Sequence, residues 1–232
     1  MEYAGSELDL FEHAHNWKVY WTAMLRPFVH GRVLDAGCGM GVNADLLWNK
    51  AVASYTFLEP DARLLDQVPV HVKTPALRNA ERINGTTSDL RERRFDTILY
   101  ADVIEHIEDS KAELQRAQEM LAPGGHLLLL VPAFQFLYSE FDKAIGHHRR
   151  YDKQLLQQEL PTGMEILTLR YLDSMGLLLS LGNKWFLKQR EPSTGQIRFW
   201  DRSVVPVSRI TDKVVMHSFG RSLVCVSRKP AV

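Results

Sequence analysis

The sequence has little cysteine, no excess of charge of either sign and no long apolar run. Its 2 cysteines, Cys38 and Cys225, lie nearly the whole chain apart, which is typical of a reduced setting. Lys and Arg number 28, as do Asp and Glu, so the field that draws proteins to phosphate backbones is missing and we expect no nucleic-acid partner. The longest apolar run, 175–181, is shorter than the ~18 residues of a membrane span, so we expect no stable membrane insertion.

The chain also lacks internal repeats, low-complexity tracts and a recognisable signal peptide. Met1, Glu2 and Tyr3 begin it without the basic and apolar regions of a signal, so we expect a cytoplasmic protein. The chain has 232 residues, of which 45% are hydrophobic and 24% charged, as is ordinary for a globular protein. This length suits one domain over residues 1–232. The sequence does not indicate an oligomeric state.

Short apolar runs alternate with helical patterns along the chain, which predicts parallel strands joined by helices. An amphipathic helix is predicted over 11–28. Ser110 as cap and Glu113 at the capping-box position predict a later helix, which stops at residues 123–125. The predicted strands lie near residues 32–34, 54–58, 95–100, 125–131, 164–172 and 222–227.

A glycine loop follows the first predicted strand. Gly37, Gly39 and Gly41 stand at alternate positions, where backbone can approach a ligand closely. The dinucleotide fingerprint needs its third glycine at position 42, which Val42 occupies, so the spacing disfavours a nicotinamide cofactor. Glu59 ends the next strand and suits a carboxylate that accepts both hydroxyls of a ribose.

The ordered motifs at residues 33–41, 57–60, 95–106 and 121–125 resemble those of class I S-adenosylmethionine-dependent methyltransferases. The resemblance implies an α/β, Rossmann-like, doubly wound and mostly parallel seven-stranded sheet, with helical insertions over the acceptor side. It also implies a cofactor, S-adenosyl-L-methionine, with Glu59 on its ribose and Asp89 and Leu90 at its adenine. The implied cofactor-binding residues are Asp35, Gly37, Cys38, Gly39, Glu59, Pro60, Asp89, Leu90 and Asp102.

The same resemblance divides the single domain into a helical N-terminal segment, 1–30, a cofactor-binding core, 31–132, and acceptor-side insertions at 133–161 and 173–220. Within the second insertion, an amphipathic basic segment at 185–190 is either an ordinary packed helix, a lid over the acceptor or a membrane-surface contact.

Structural explanations compete with some of these assignments. The glycines could serve only a tight turn, and Asp89 could be a turn aspartate that bonds its own backbone. Asp102 and Glu105 together also form a capping-box pattern at the start of the next helix.

A second group of polar residues lies in the first insertion, at Gly146-His147-His148-Arg149-Arg150-Tyr151. It resembles a Gly-His-x-Arg-Arg-Tyr signature of a bacterial methyltransferase subgroup, often linked with glycan or secondary-metabolite pathways. His147 or His148 is the predicted catalytic base, with His106 as the alternative. The predicted substrate-binding residues are Tyr138, Arg149, Arg150 and Tyr151.

Two other interpretations of this group compete with these roles. Arg149 and Arg150 could form surface ion pairs with Asp142, Glu140 or Asp152. Adjacent histidines on an extended segment point to opposite faces, and no nearby spacing completes a zinc pattern, so no metal is expected.

These features predict methyl transfer from S-adenosylmethionine to an oxygen or nitrogen atom of a small molecule or glycan precursor. Residues 101–104 lack the Asp/Asn-Pro-Pro-Tyr/Phe motif of DNA amino-methylation. A non-catalytic protein that binds S-adenosylmethionine and a nicotinamide-dependent reductase are the alternatives.

Overall fold

The computed structural model describes residues 13–182 and 193–231. One sheet contains seven strands in these described parts. Their bounds, in chain order, are β1 (Gly31–Ala36), β2 (Val52–Glu59), β3 (Glu81–Asn84), β4 (Phe95–Ala101), β5 (Leu121–Pro132), β6 (Glu165–Leu172) and β7 (Ser222–Arg228).

The spatial order of the strands is β3-β2-β1-β4-β5-β7-β6. Only β7 is antiparallel to its neighbours, β5 and β6, and the other pairs are parallel. The predicted Rossmann-like, mostly parallel seven-stranded sheet is therefore confirmed. Because β1 pairs with β2 on one side and β4 on the other, the order reverses there, and the loops after these three strands meet at one edge.

Helices cover the sheet. The α-helices of the described residues are α1 (His15–Leu25), α2 (Ala44–Leu47), α3 (Ala62–Leu65), α4 (Val68–His71), α5 (Pro75–Arg78), α6 (Ser110–Met120), α7 (Glu140–Ala144), α8 (Lys153–Glu159), α9 (Ser174–Gly182), α10 (Thr194–Phe199) and α11 (Val205–Val214). A π-helical turn, Trp200–Val204, joins α10 to α11.

Two apolar layers bury the two faces of the sheet. Trp21 and Leu25 of α1 pack in the first layer, and Leu114 and Met120 of α6 pack in the second. The centre of β5, residues 127–131, contributes to both layers and is fully buried, which confirms the central strand expected there.

Several local predictions differ from the structure. Strand β3 was not located from the sequence, because its four residues form no apolar run and leave mostly exposed side chains. The α6 cap is Asp109, whose side chain accepts from Ala112 N–H, so the prediction of Ser110 was wrong. The Ser110 hydroxyl donates to Glu159 instead. Strand β5 starts at Leu121, ahead of the predicted start at Gly125.

The N-terminal helix is described from His15, and the predicted segment 185–190 lies outside the described residues. Among the helices that are described, none combines the length and apolar character needed to cross a membrane. The single-domain division of the chain stays a prediction.

Candidate active site

The loop after β1 has a backbone conformation that favours glycine. Gly37, Gly39 and Gly41 have φ values of +69°, +54° and +72°. A Cβ atom on Gly37 would lie 2.7 Å from Cγ2 of Val103, in the loop after β4. The glycines therefore let two loops of the same sheet edge approach each other.

Glu59 anchors this loop from the end of β2. Its Oε2 accepts the N–H of Gly39 at 2.9 Å, and its Oε1 accepts the N–H of Asp61 at 3.0 Å. Burial raises the pKa of Glu59, while these two hydrogen bonds act to lower it. Each carboxylate oxygen has a further lone pair, so the group can accept hydroxyls of a bound ligand as well.

Asp35 lies beneath the loop, in β1. It is buried, and its Oδ2 accepts the hydroxyl of Tyr55 at 2.9 Å. Burial raises the pKa of Asp35 to about 7. Cys38 is also buried, and burial raises the pKa of its thiol well above the usual range, so the thiol stays neutral.

Asp89 and Leu90 belong to a short 3₁₀ turn, Thr87–Leu90, after β3. Asp89 is exposed, and its Oδ2 accepts the N–H of Thr86 at 2.8 Å in a capping box. Leu90 is buried. The turn-aspartate interpretation is thus confirmed for Asp89, and its contact with adenine stays a prediction.

Asp102 directly follows β4 and lies in the left-handed region, with φ +55°, and its N–H donates to Leu130 O at 2.9 Å. The residue is exposed at this edge. Desolvation by the surrounding protein raises the pKa of its carboxyl, while the charges of Arg221 and Arg150 act to lower it. The capping-box interpretation of Asp102 and Glu105 is wrong, because the next 3₁₀ turn, Ile104–His106, has no side-chain cap.

Strained residues also follow the neighbouring strands at this edge. Phe134, just after β5, and Asp173, directly after β6, both have φ +65°. Non-glycine residues in this conformation are uncommon and cluster at functional sites. Asp173 accepts hydrogen bonds from Trp200 Nε1 at 2.8 Å and from the Ser208 hydroxyl at 2.6 Å.

Asp142, fully buried at the first insertion, gathers several of the predicted residues. Its Oδ1 lies 3.0 Å from His147 Nδ1 and accepts from Arg150 Nε at 2.8 Å, and its Oδ2 accepts from the Ser139 hydroxyl at 2.7 Å. Burial acts to raise the pKa of Asp142, but the hydrogen bonds and charge of these neighbours lower it far below its usual range. The Tyr138 hydroxyl donates to the carbonyl of His147 at 2.6 Å.

The predicted ion pair of Arg150 with Asp142 therefore exists, but it is buried and not on the surface. Arg149 makes no ion pair with residues 13–182 or 193–231. Its guanidinium donates to the carbonyl of Ile107 at 3.0 Å and to the Ser110 hydroxyl. Tyr151 is fully buried.

The Tyr151 hydroxyl donates to Glu159 Oε2 at 3.1 Å. Substrate binding by Tyr151 and Arg149 stays a prediction, and the contacts of both side chains in the structure are with other parts of the protein. Tyr151 packs in the second apolar layer, and the Arg149 guanidinium donates to a main-chain carbonyl.

The three candidate bases lie in different surroundings. His148 is exposed. The rings of His106 and His147 meet edge to face, with centroids 4.5 Å apart. Burial, together with the nearby His147, lowers the pKa of His106 to about 4. Fully buried Glu105 lies beside them, and its Oε1 is 3.9 Å from His147 Nε2.

Sequence reasoning considered Glu105 only as a cap. Its position next to His106 was the signal that could have marked it, since a carboxylate and an imidazole in sequence often share a site. Arg221, stacked over Trp200 with 5.0 Å from Cζ to the ring centroid, was also missed as a site residue. No local pattern relates Arg221 to Trp200, which tertiary folding brings together.

Residues 12–178, well over half of the chain, match the family described as a methyltransferase domain. The chain belongs to this methyltransferase family. Its membership confirms the class predicted from the glycine loop and the motifs that follow it.

Curated relatives of this methyltransferase include two ubiquinone biosynthesis O-methyltransferases. The one from Rhodopseudomonas palustris is 29% identical over 170 residues, which cover 67% of this chain and 65% of the relative. The one from Paracidovorax citrulli is 27% identical over 123 residues, which cover 52% of this chain and 51% of the relative. The chain thus spans less than two thirds of the length of each.

Solved structures share the fold at low identity. A chain of the complex between the Haloferax volcanii Trm112 methyltransferase activator and a methyltransferase superposes with a TM-score of 0.66 at 16% identity, covering 98% of this chain and 96% of that one. N-methyltransferase NodS from Bradyrhizobium japonicum WM9, in complex with S-adenosyl-L-homocysteine, gives a TM-score of 0.59 at 14% identity, with 99% and 93% covered. These likenesses show the fold of the methyltransferase.

Proposed function

We propose that the chain is an S-adenosylmethionine-dependent methyltransferase that binds its cofactor over the carboxyl ends of β1, β2 and β4. The observation that carries this proposal is the Glu59 carboxylate, held by Gly39 N–H and Asp61 N–H at the mouth of the glycine loop. The donor set fits the cofactor. A carboxylate at this place accepts ribose hydroxyls, and the glycine backbone leaves room for the methionyl part.

We also propose positions around Glu59 for the other predicted cofactor-binding residues. We propose that Gly37, Cys38 and Gly39 line the methionyl and ribose part, and that Asp102 lies near the methionyl end. Asp35 acts through its hydrogen bond to Tyr55, by supporting the strand from which the loop departs. Asp89, Leu90 and Pro60 complete the proposed site toward the adenine.

When bound, S-adenosylmethionine supplies a methyl group on a positively charged sulfur, and transfer forms the bond from acceptor to carbon as the carbon–sulfur bond breaks. The protein's part is to align the two reactants and exclude water, which contributes up to ~7–11 kcal/mol in well-oriented reactions. Asp102 and the strained residues after β5 and β6 supply a preformed wall for that alignment.

We propose that the acceptor is an oxygen or nitrogen atom of a small molecule or glycan precursor. The relatives named O-methyltransferases support oxygen. Gly146 to Tyr151 supports the subgroup with the Gly-His-x-Arg-Arg-Tyr signature, in which Tyr138 and Arg150 border the acceptor. A histidine base for a hydroxyl or protonated amine stays a prediction, with His148 the exposed candidate.

The test is release of S-adenosylhomocysteine by the full chain with a panel of phenols, amines and sugars. We expect release with at least one acceptor, and none from a reaction that lacks acceptor. Binding of S-adenosylmethionine without turnover on any acceptor would favour the non-catalytic alternative. Binding of NADH in place of S-adenosylmethionine would favour the reductase.

A further inference from the structure

Glu105, His106 and His147 bring one carboxylate oxygen and two imidazole nitrogens together. Their potential ligand atoms all lie within 4.8 Å of one another. Glu105 and His106 come from the 3₁₀ turn after β4, and His147 comes from the segment after α7. Two separate parts of the chain thus converge on one small volume, which the sequence spacing alone does not show.

The Glu105 carboxylate is the unusual member of this cluster. The residue is 0% exposed, and neither of its carboxylate oxygens has a hydrogen-bond partner among the described residues. The imidazole nitrogen His147 Nε2 is 3.9 Å from Glu105 Oε1, which is too far for a hydrogen bond. A buried carboxylate without a partner is costly in free energy, so we expect the Glu105 carboxylate to bind a ligand.

The orientation of His147 indicates which kind of ligand the Glu105 carboxylate binds. Its Nδ1 lies 3.0 Å from Asp142 Oδ1, so the ring donates its Nδ1 proton to that carboxylate. Arg150 and Ser139 in turn hold Asp142 in place. The lone pair of Nε2 is therefore directed toward Glu105. A carboxylate that orients a histidine in this way is the usual outer contact of a metal-binding imidazole.

We propose that Glu105, His106 and His147 bind one divalent first-row transition-metal ion. One carboxylate oxygen with two neutral imidazoles suits zinc, manganese, iron or cobalt, and it suits magnesium less because magnesium prefers oxygen ligands throughout. Three protein ligands leave a position open for water or a substrate atom.

This proposal replaces the expectation from the sequence that no metal is bound. That expectation considered the neighbouring pair His147 and His148, and the structure does separate them, since His148 is exposed while His147 faces inward. The partners of His147 come instead from a turn far away in the chain, Ile104–His106.

A second pair of histidines provides an internal comparison. The rings of His30 and His126 lie with centroids 5.0 Å apart, and the Nδ1 atom of each contacts the carbonyl of Phe28. Among the described residues, no carboxylate joins this pair in a group of three potential metal ligands, whereas Glu105 joins His106 and His147 in such a group. Substitution of His126 therefore serves as a matched control for loss of an imidazole.

The experiment uses the full chain without a polyhistidine tag, stripped of metal and titrated with Co²⁺. Calorimetry gives the stoichiometry, and the visible absorption of Co²⁺ reports nitrogen ligation. We expect one Co²⁺ per chain with a changed spectrum. Glu105→Gln and His147→Ala should weaken binding by more than ~10-fold, while His126→Ala and His148→Ala keep it. Binding of S-adenosylhomocysteine and the melting temperature, measured on every variant, show that each remains folded.

Absence of Co²⁺ binding by the wild-type chain, or an unchanged hexaaqua spectrum, would overturn the proposal whether or not the variants fold. Tight binding that survives both Glu105→Gln and His147→Ala would overturn it as well, as would loss confined to His126→Ala. None of these outcomes depends on turnover, so the metal site and the proposed methyl transfer fail or stand separately.

Discussion

The carboxylate of Glu59 accepts the backbone N–H of Gly39 across 2.9 Å, so the end of β2 holds the loop that follows β1. Both residues are at the edge where the strand order reverses, and the second carboxylate oxygen is held by Asp61 N–H. The side chain that is proposed to bind ribose therefore also shapes the loop beneath it. If Glu59 binds the ribose as proposed, cofactor binding and loop conformation depend on the same carboxylate.

Replacing Glu59 by Ala should weaken S-adenosylmethionine binding by ~1.5–3 kcal/mol, the usual scale for hydrogen bonds to a charged group. Calorimetry on the folded variant measures this loss. Glu81→Ala is the control, because that glutamate lies on the adjacent strand β3 and pairs with Arg93 away from the loop. Unchanged affinity in Glu59→Ala would show that the ribose assignment is wrong.

Gly37→Ala should reduce both stability and cofactor affinity. The new Cβ would lie 2.7 Å from Val103 and would require a left-handed backbone conformation. Gly124→Ala separates the two causes, because Gly124 also has positive φ, +78°, but has nothing within 4 Å of the added atom. Chemical unfolding and calorimetry on both variants should give the larger loss, and the only loss of affinity, for Gly37→Ala. Equal behaviour would mean that contact with Val103 does not matter.

Because of Asp35, the free energy of unfolding should fall as the pH rises through the acid range. Burial raises its folded pKa to about 7 from an ordinary 3.8, so the unfolded chain loses this proton first. The free energy of unfolding should therefore decrease between these values, by at most about 1.4 kcal/mol per pH unit from this group. Asp35→Asn, which can still accept from Tyr55, should remove that decrease.

Urea unfolding at several pH values measures the difference between wild type and Asp35→Asn. Asp66→Asn, at an exposed aspartate, is the control and should leave the pH dependence as it is in the wild type. A constant difference between wild type and Asp35→Asn over the whole range would contradict the raised pKa.

Asp173→Asn should destabilise the chain by ~1–3 kcal/mol. Asn tolerates the positive φ of this position, but its amide group presents donors where Trp200 Nε1 and the Ser208 hydroxyl need acceptors. Asp152→Asn is the matched control, since Asp152 is an exposed cap of α8 and Asn caps a helix equally well. The free energy of unfolding from urea titrations gives both values. A cost no larger than that of Asp152→Asn would contradict a supporting role for Asp173 between β6 and α11.

Local patterns carried much of the fold. Alternating apolar runs located six of the seven strands, and the glycine spacing after β1 with a carboxylate after β2 indicated the cofactor edge. Strand β3 was not located from the sequence because an edge strand needs no continuous apolar run. The cap of α6 was misplaced by one residue because Asp109 and Ser110 are both good caps, and contact of Ser110 with Glu159 decided between them.

By itself, the sequence determined the methyltransferase class and the mostly parallel sheet, through the resemblance of its ordered motifs, and the places of most strands, because these depend on short-range turn chemistry and on periodicity. Only the tertiary structure decided how the side chains of the first insertion pack. There Tyr151 enters the core, Asp142 orients His147, and His147 meets Glu105 from another loop. Such meetings depend on how distant segments pack over the sheet edge, which no local spacing encodes.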